Sequence, residues 1–359
     1  MAITIEDIAD KLGISHSTVS DVLNDKWQER GVSEETKGRI LVAAKRLNYR
    51  SNIIARSLVT RQTKVLGLIT QCVTYSFFPE IARGIEDTAR EYGYKVLLCH
   101  SDDSVDREAE EIELLREHRV AGLIITPAHD RDNIDIFLGL QKDRIPFVLV
   151  DKYLEGLECN FVGTDDRQGA YEAVTHLIKL GHKRIAYIMG EKNASSTRDR
   201  LKGYQDALIE NNIICDPELI VGGDGFIEEY GYKAAKELLT LNRKPTAIFA
   251  ITDMAAVGAL QAITESGLRV PEDIALIGFC DNKGAATLSV PLTTVRQPAR
   301  EIGRQAARIL LDEIENGIDE PKRIALKTEL IIRKSCGAYL GRRQNVLDCH
   351  CEKRNDEVI

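Results

Sequence analysis

From Lys64 onward, short apolar runs alternate with amphipathic helical patterns, and this alternation constrains the fold more than any other feature of the chain. VLGLIT, YKVLLCH, AGLIIT and PFVLV are separated by stretches such as PEIARGIEDTAREYG and DREAEEIELLREH. Runs that are apolar on both faces and joined through helices belong to a parallel sheet covered by helices. The pattern restarts after residue 165: a helical stretch to Leu180, then RIAYIM, SSTRDRLKGYQDALIENN, LIVGG, AAKELLT, TAIFAI, AAVGALQAITESG and DIALIGF. Two successive doubly wound lobes follow. Neither carries a dinucleotide fingerprint, because Gly222-Gly223-Asp224-Gly225 lacks the strand, the spacing and the acidic follow-on that such a site requires; it reads as a turn.

Residues 4–50 follow a different period. Ile5, Ile8, Ala9 and Leu12 stand at helical spacing behind Thr4 as N-cap and stop at Gly13. Ser15 caps a second helix with Val19, Val22 and Leu23 inward, and a polar loop containing Trp27 leads to Ser33 and a third helix carrying Ile40, Leu41, Ala44 and Leu47. Two short helices joined through a glycine turn and braced by a third make a helix-turn-helix unit. A generic three-helix bundle would not account for the polar face of His16, Ser17, Thr18, Ser20 and Asp21. The segment after it, NIIARSLVTRQT, is too short to be a stable helix alone and reads as a hinge that folds on binding.

A chain of 359 residues exceeds one ordinary core. No apolar span of transmembrane length occurs, and MAITIEDIADKLG lacks the basic and apolar regions of a signal peptide, so the expected compartment is the cytoplasm, with no membrane partner. The net charge of −8 alone argues against nucleic acid, but residues 1–62 carry +2 and the remainder −10. A basic head on an acidic body binds DNA through local phosphate contacts. The eight cysteines mostly fall in or beside apolar runs and read as reduced, buried thiols. Cys349-His350-Cys351 lacks the ligand number and spacers of a closed zinc site, so no metal is expected. No nucleophile, base or metal set at a recognisable spacing points to an enzyme.

The run TIEDIADKLGISHSTVSDVLN (4–24), followed by VSEET and NYRSNIIARSL, resembles the head and hinge of the lactose-repressor and galactose-repressor family. GHKRIAYIMG, RLKGY, PTAIFAITDMAAVGAL, GLRVPEDIALIGF, PLTTVRQP and ELIIRKS continue the resemblance through residues 3–335. It implies a transcriptional regulator, most simply a repressor, with residues 1–50 as helix-turn-helix domain, 51–63 as hinge, 64–336 as a periplasmic-binding-protein-like body of two doubly wound lobes, and 337–359 as a disordered tail. The lobes would comprise 63–164 with 295–321, and 165–294 with 322–336. No cofactor is implied beyond a small-molecule effector, a sugar or sugar derivative. Double-stranded operator DNA and a second copy of the chain are the implied partners; the tail lacks a heptad of apolar residues, which favours a dimer over a tetramer.

The resemblance places DNA contacts at Thr4, Ser15, His16, Ser17, Thr18, Ser20, Asp21, Asn24 and Tyr49 in the head, and at Asn52, Ala55 and Leu58 in the hinge. His16 and Ser17 open the helix that reaches base edges in the major groove. Asp21 stands where the family usually has an arginine, so the operator should differ from those of typical relatives, and Ser51 stands where it has a proline, so the hinge should be looser. Lys26 or Arg30 in the loop would reach phosphate. Leu58 aligns with the family's minor-groove wedge, or packs on its dimer mate.

In the body, the resemblance assigns effector contacts to Tyr75, Phe78, Ser196, Arg200, Phe226, Asp253, Cys280 and Asp281. The Arg200 guanidinium suits paired hydroxyls or a carboxylate. Asp253 is equally a lining group or a helix cap. Cys280 occupies the position of a common ligand aspartate, so either Asp281 substitutes for it or the pocket lacks that carboxylate.

Overall fold

The structure, a computed structural model, describes residues 3–24, 26–49, 63–72, 77–128, 134–317 and 320–340. The hinge positions Asn52, Ala55 and Leu58, together with Tyr75 and the Cys-His-Cys run, lie outside the described residues. Two compact units divide the chain, 1–63 and 64–359.

The first unit holds α1 (Ile5–Leu12), α2 (His16–Leu23) and α3 (Glu34–Arg46). Thr4 and Asp7 close a capping box on α1, and Gly13 ends it in the left-handed conformation that glycine adopts without strain. Ser15 and Ser33 cap α2 and α3 by accepting from the N–H groups of Thr18 and Thr36. Ile8, Val19 and Ile40 are fully buried, and Trp27 joins them with Lys37 Nζ 3.9 Å above its ring. Leu41 does not face inward: it is exposed, and Ala43 takes the inner position, because the helical period places 40, 43, 44 and 47 on one stripe.

The second unit contains two six-stranded sheets. The first combines β1 (Val65–Thr70), β2 (Lys95–His100), β3 (Gly122–Ile125), β4 (Phe147–Val150), β5 (Asn160–Thr164) and β11 (Arg323–Leu326), ordered β11-β5-β4-β3-β1-β2 and parallel throughout. The second combines β6 (Ile185–Met189), β7 (Ile220–Gly222), β8 (Ala247–Ala250), β9 (Ala275–Cys280), β10 (Thr293–Arg296) and β12 (Glu329–Ile331), ordered β12-β10-β9-β8-β6-β7, with only β12 antiparallel. Helices α4 (Phe77–Glu91), α5 (Val105–Glu117), α6 (Ile134–Lys142) and α11 (Ala299–Asn316) belong to the first lobe, and α7 (Asp166–Lys179), α8 (Ser195–Glu210), α9 (Glu228–Thr240) and α10 (Asp253–Glu265) to the second.

The chain crosses between lobes at residue 165, at 297–298 and at 327–328. The expected lobe boundaries need correction. β11 pairs with β5 in the first lobe rather than lying in the second, and residues 295–296 complete β10 in the second. Two neighbouring crossings are tied by Gln297 Nε2 donating to Thr164 Oγ1 at 2.9 Å.

Both lobes contain helices in backbone contact, one pair in the first and two in the second, where a β-carbon on Gly203 of α8 would collide with the Arg167 carbonyl of α7. A β-carbon on Gly84 of α4 would collide with the Arg300 carbonyl of α11, and one on Gly303 would collide with that of Ile81. Gly231 of α9 and Gly258 of α10 repeat the arrangement. β2 departs from the expected burial: as an edge strand it leaves Leu97 and Leu98 partly exposed. Of the described cysteines, only Cys159 and Cys336 are buried. The tail begins later than residue 337, since Ala338 packs on the core of the second lobe and Leu340 closes a turn onto Gly337.

Candidate functional site

On the head, α2 turns Val19 and Val22 inward and leaves the side chains three and four residues apart on its other face outward. His16 and Ser17 are exposed at its N-terminus, and Ser20 and Asp21 continue the same face half-exposed. Ser15 and Thr18 are joined through their hydroxyls at 2.7 Å. Asn24 folds its amide back onto the Ser20 carbonyl at 2.9 Å, closing the helix end. Thr4 is bound into the α1 capping box, Tyr49 is half-buried against the head core, and Lys26 and Arg30 are exposed. The head therefore presents a short polar helix N-terminus on a rigid base, the geometry that enters a major groove.

In the body, both sheets have their strand order reversed beside the first strand of the lobe, at β1/β3 and at β6/β8, and ligands bind beyond the carboxyl ends of strands at such switch points. A cavity of about 410 Å³ lies there. Gln71, Asp103 and Lys152, which follow β1, β2 and β4, line it from the first lobe. Glu191, Asp224, Thr252 and Cys280, from the ends of β6 to β9, line it from the second. Contrary to the reading that no strand precedes it, the glycine-rich run closes β7 at Gly222 and continues as a loop whose Asp224 and Gly225 form part of the wall.

Phe78, Ser196, Arg200, Phe226 and Cys280 all reach this cavity. Phe77 accompanies Phe78 in an edge-to-face pair with centroids 5.4 Å apart, and Tyr230 adds a further ring. Arg200 is buried. Its Nε and Nη2 donate to Asp166 Oδ1 at 3.0 and 2.9 Å, its Nη1 donates to the Ile251 carbonyl at 2.6 Å, and its carbon Cζ lies 3.8 Å from the Phe279 ring centre. Burial pushes the Asp166 carboxyl upward, and Arg200 opposes this. Loss of solvation likewise raises Asp151 and the half-buried Cys280 thiol, and Arg200 opposes both.

Two residues assigned to the effector stand elsewhere. Asp281 accepts from Arg296 Nε at 2.8 Å and from Arg333 at 2.6 Å, so it is turned out of the cavity and does not replace the missing aspartate. Asp253, 2% exposed at the start of α10, accepts from the Thr294 hydroxyl and from the Asn282 N–H at 2.7 Å. It ties the start of α10 to β10 and to the loop after β9, while its neighbours Thr252 and Met254 reach the wall. Four lining residues, Asp102, Asp103, Asp151 and Cys280, adopt positive φ, and such strain concentrates where function needs a fixed geometry. Sequence reasoning missed Asp151, Lys152 and Gln297; the signal available was their place immediately after strands.

Comparison with known proteins adds the family. Residues 4–52 match the description "Bacterial regulatory proteins, lacI family" and residues 174–336 match "Periplasmic binding protein-like domain". The HTH-type transcriptional repressor PurR of Haemophilus influenzae (strain PittEE) is 36% identical over 343 residues, covering 94% of this chain and 99% of the relative. The HTH-type transcriptional regulator RegA of Clostridium saccharobutylicum is 36% identical over 337 residues, with 93% and 99% covered. Among solved structures, the lac repressor dimer bound to operator and the anti-inducer ONPF superposes with a TM-score of 0.83 at 29% identity over 94% of this chain and 99% of that one. The complex of the transcriptional regulator CelR with cellobiose does so with a TM-score of 0.70 at 30% identity over 93% and 99%.

Proposed function

The chain belongs to the lacI family of bacterial transcriptional repressors, and on that premise we propose that it grips a near-palindromic operator as a homodimer and changes its grip when a carbohydrate occupies the cleft. The observation carrying this reading is the cavity itself, where the carboxyl ends of two parallel sheets face each other across about 410 Å³ lined by aromatic rings and polar side chains. Rings stack on sugar faces, and the side chains offer both donors and acceptors.

One recognition helix covers a half-site, so two copies are required for an operator. The body offers a surface for the second copy: β2 is an unpaired edge carrying exposed Leu97 and Leu98, and such an edge is normally covered. DNA as target places the protein in the cytoplasm, and no helix among the described residues is long and apolar enough to cross a membrane. Binding of sugars to the full-length protein, followed as a rise in melting temperature and then as a change in anisotropy of labelled operator DNA, tests the reading. A sugar that raises the melting temperature without altering operator affinity would refute it.

A further inference from the structure

β4 ends in a γ-turn: Lys152 N–H donates to the Val150 carbonyl at 2.7 Å across Asp151, whose φ is +67°. This is the strained form of the turn. It sends the Lys152 side chain into the cavity, where the residue is 4% exposed. The ammonium has no hydrogen-bond partner there. The carboxylate beside it, Asp103 Oδ1, is 3.8 Å away and already accepts from Gln71 Nε2; the Phe226 ring centre, on the other lobe, is 5.0 Å away. A buried ammonium with unfilled donors is costly unless something supplies acceptors. A complementary vacancy stands on the crossing, where Gln297, its Nε2 engaged by Thr164, has a buried carbonyl oxygen without a donor.

The charge of the wall narrows what can fill both. Five carboxyl groups, Asp102, Asp103, Asp151, Glu191 and Asp224, line the cavity with two cations, Lys152 and Arg200; Asp102 is paired with Arg107, and burial pushes Asp151 upward, towards its neutral form. Both cations are already balanced, Arg200 by Asp166 and Lys152 by Asp103. The α8 N-terminus, where Ser196 lines the wall, adds only about half a positive charge. An anionic ligand would meet no unmatched cation, and like-charge juxtaposition costs several kcal/mol. A hydroxylated neutral ligand satisfies both vacancies, since each hydroxyl donates and accepts.

We propose that Lys152 is a specificity-determining residue of the cleft, whose ammonium donates to a hydroxyl or ring oxygen of an uncharged, polyhydroxylated ligand, and that phosphorylated or carboxylated counterparts of that ligand are refused. This rests on the cleft being the carbohydrate site. The Lys152→Met variant keeps the buried stem and removes only the charge.

Full-length protein is titrated with cellobiose, glucose, galactose and ribose, and with glucose 6-phosphate, galactose 6-phosphate, ribose 5-phosphate, glucuronate and galacturonate, by thermal shift and then calorimetry. At least one free sugar binds, and its charged counterparts bind at least about a hundredfold more weakly. Lys152→Met weakens the free sugar roughly tenfold or more without lowering the melting temperature of the unliganded protein. Phe226→Ala marks the cleft independently. Binding that Phe226→Ala abolishes and Lys152→Met leaves unchanged overturns the inference while the cleft reading stands, as does tighter binding of a phosphate or uronate than of the free sugar. Binding indifferent to both variants overturns the cleft reading. Silence from every sugar overturns the carbohydrate class, and this inference with it.

Discussion

Arg200 and Asp166 share a single oxygen: two guanidinium nitrogens, Nε at 3.0 Å and Nη2 at 2.9 Å, converge on Asp166 Oδ1, and both side chains are almost fully buried. Removing the cation therefore strands a carboxylate in the interior. Arg200→Ala should destabilise the body by about 3 kcal/mol or more, whereas the double variant with Asp166→Asn should recover much of the loss. Denaturant unfolding of the parent, both single variants and the double variant measures the coupling. Equal midpoints for Arg200→Ala and the parent would show that Arg200 is not the countercharge of Asp166.

Stability of the body should rise as the solution is acidified from pH 8 towards pH 6. Burial lifts the Asp253 carboxyl to about 7; the Thr294 hydroxyl, the Asn282 N–H and Arg333 oppose this, and Asp281 adds to it. Burial also lifts Glu313 to about 7 against the Asn160 amide. A folded-state value above the unfolded value of about 4 means that the folded chain holds the extra proton, so this contribution is full below about pH 4 and is lost as pH rises through 7. The slope within that window approaches about 1.4 kcal/mol per pH unit for one such group. Asp253→Asn should flatten the profile of melting temperature against pH; an unchanged slope would assign the dependence elsewhere.

Tyr153 fastens the first lobe to the second, its N–H donating to Ser195 Oγ at 3.0 Å and its hydroxyl to Asp199 at 3.2 Å. Tyr153→Phe deletes only the second contact. Effector binding, which draws on the closed arrangement, should weaken by about 1 kcal/mol, roughly fivefold, in calorimetry. Undiminished affinity would mean that closure does not depend on this pair.

Asp21 faces outward on the exposed side of α2 with His16 and Ser17. Asp21→Arg should raise general DNA affinity and shift the preferred operator, since a carboxylate repelled by phosphate becomes a donor able to read guanine. Selection from random DNA decides the matter, and identical preferred sites for both proteins would show that residue 21 does not face the bases.

Gly84→Ala should force α4 and α11 apart, because its β-carbon has no room beside the Arg300 carbonyl. Overpacking of this kind costs about 1–3 kcal/mol, and the loss of melting temperature should exceed that for Gly139→Ala on α6, where nothing lies within 4 Å. Equal losses would contradict the close packing.

The parallel body was legible because strands buried on both faces leave uninterrupted apolar runs, and the head because Thr4, Ser15 and Ser33 are side-chain caps with local rules. What the sequence hid depends on relations across the fold. YKVLLCH has the composition of a central strand, and only its place at the sheet edge exposes Leu97 and Leu98. β11 looks continuous with β12 along the chain, yet the two belong to different sheets. Asp281 was a reasonable stand-in for a ligand carboxylate until Arg296 and Arg333 turned out to occupy it. Lys152 resembles any surface lysine, and its burial follows from a turn that alternation of apolar residues does not encode.

The reciprocal glycine contacts lock α4 to α11 in one lobe and α9 to α10 in the other, so these helices cannot slide past each other. The soft torsions between the lobes lie at residues 165, 297–298 and 327–328, and the Thr164–Gln297 hydrogen bond couples two of these connectors. Three short connectors bound side by side make a hinge with a single axis. Whatever occupies the cleft is thereby translated into one number, an opening angle, and two ligands of unlike shape that set the same angle would be indistinguishable to the rest of the molecule.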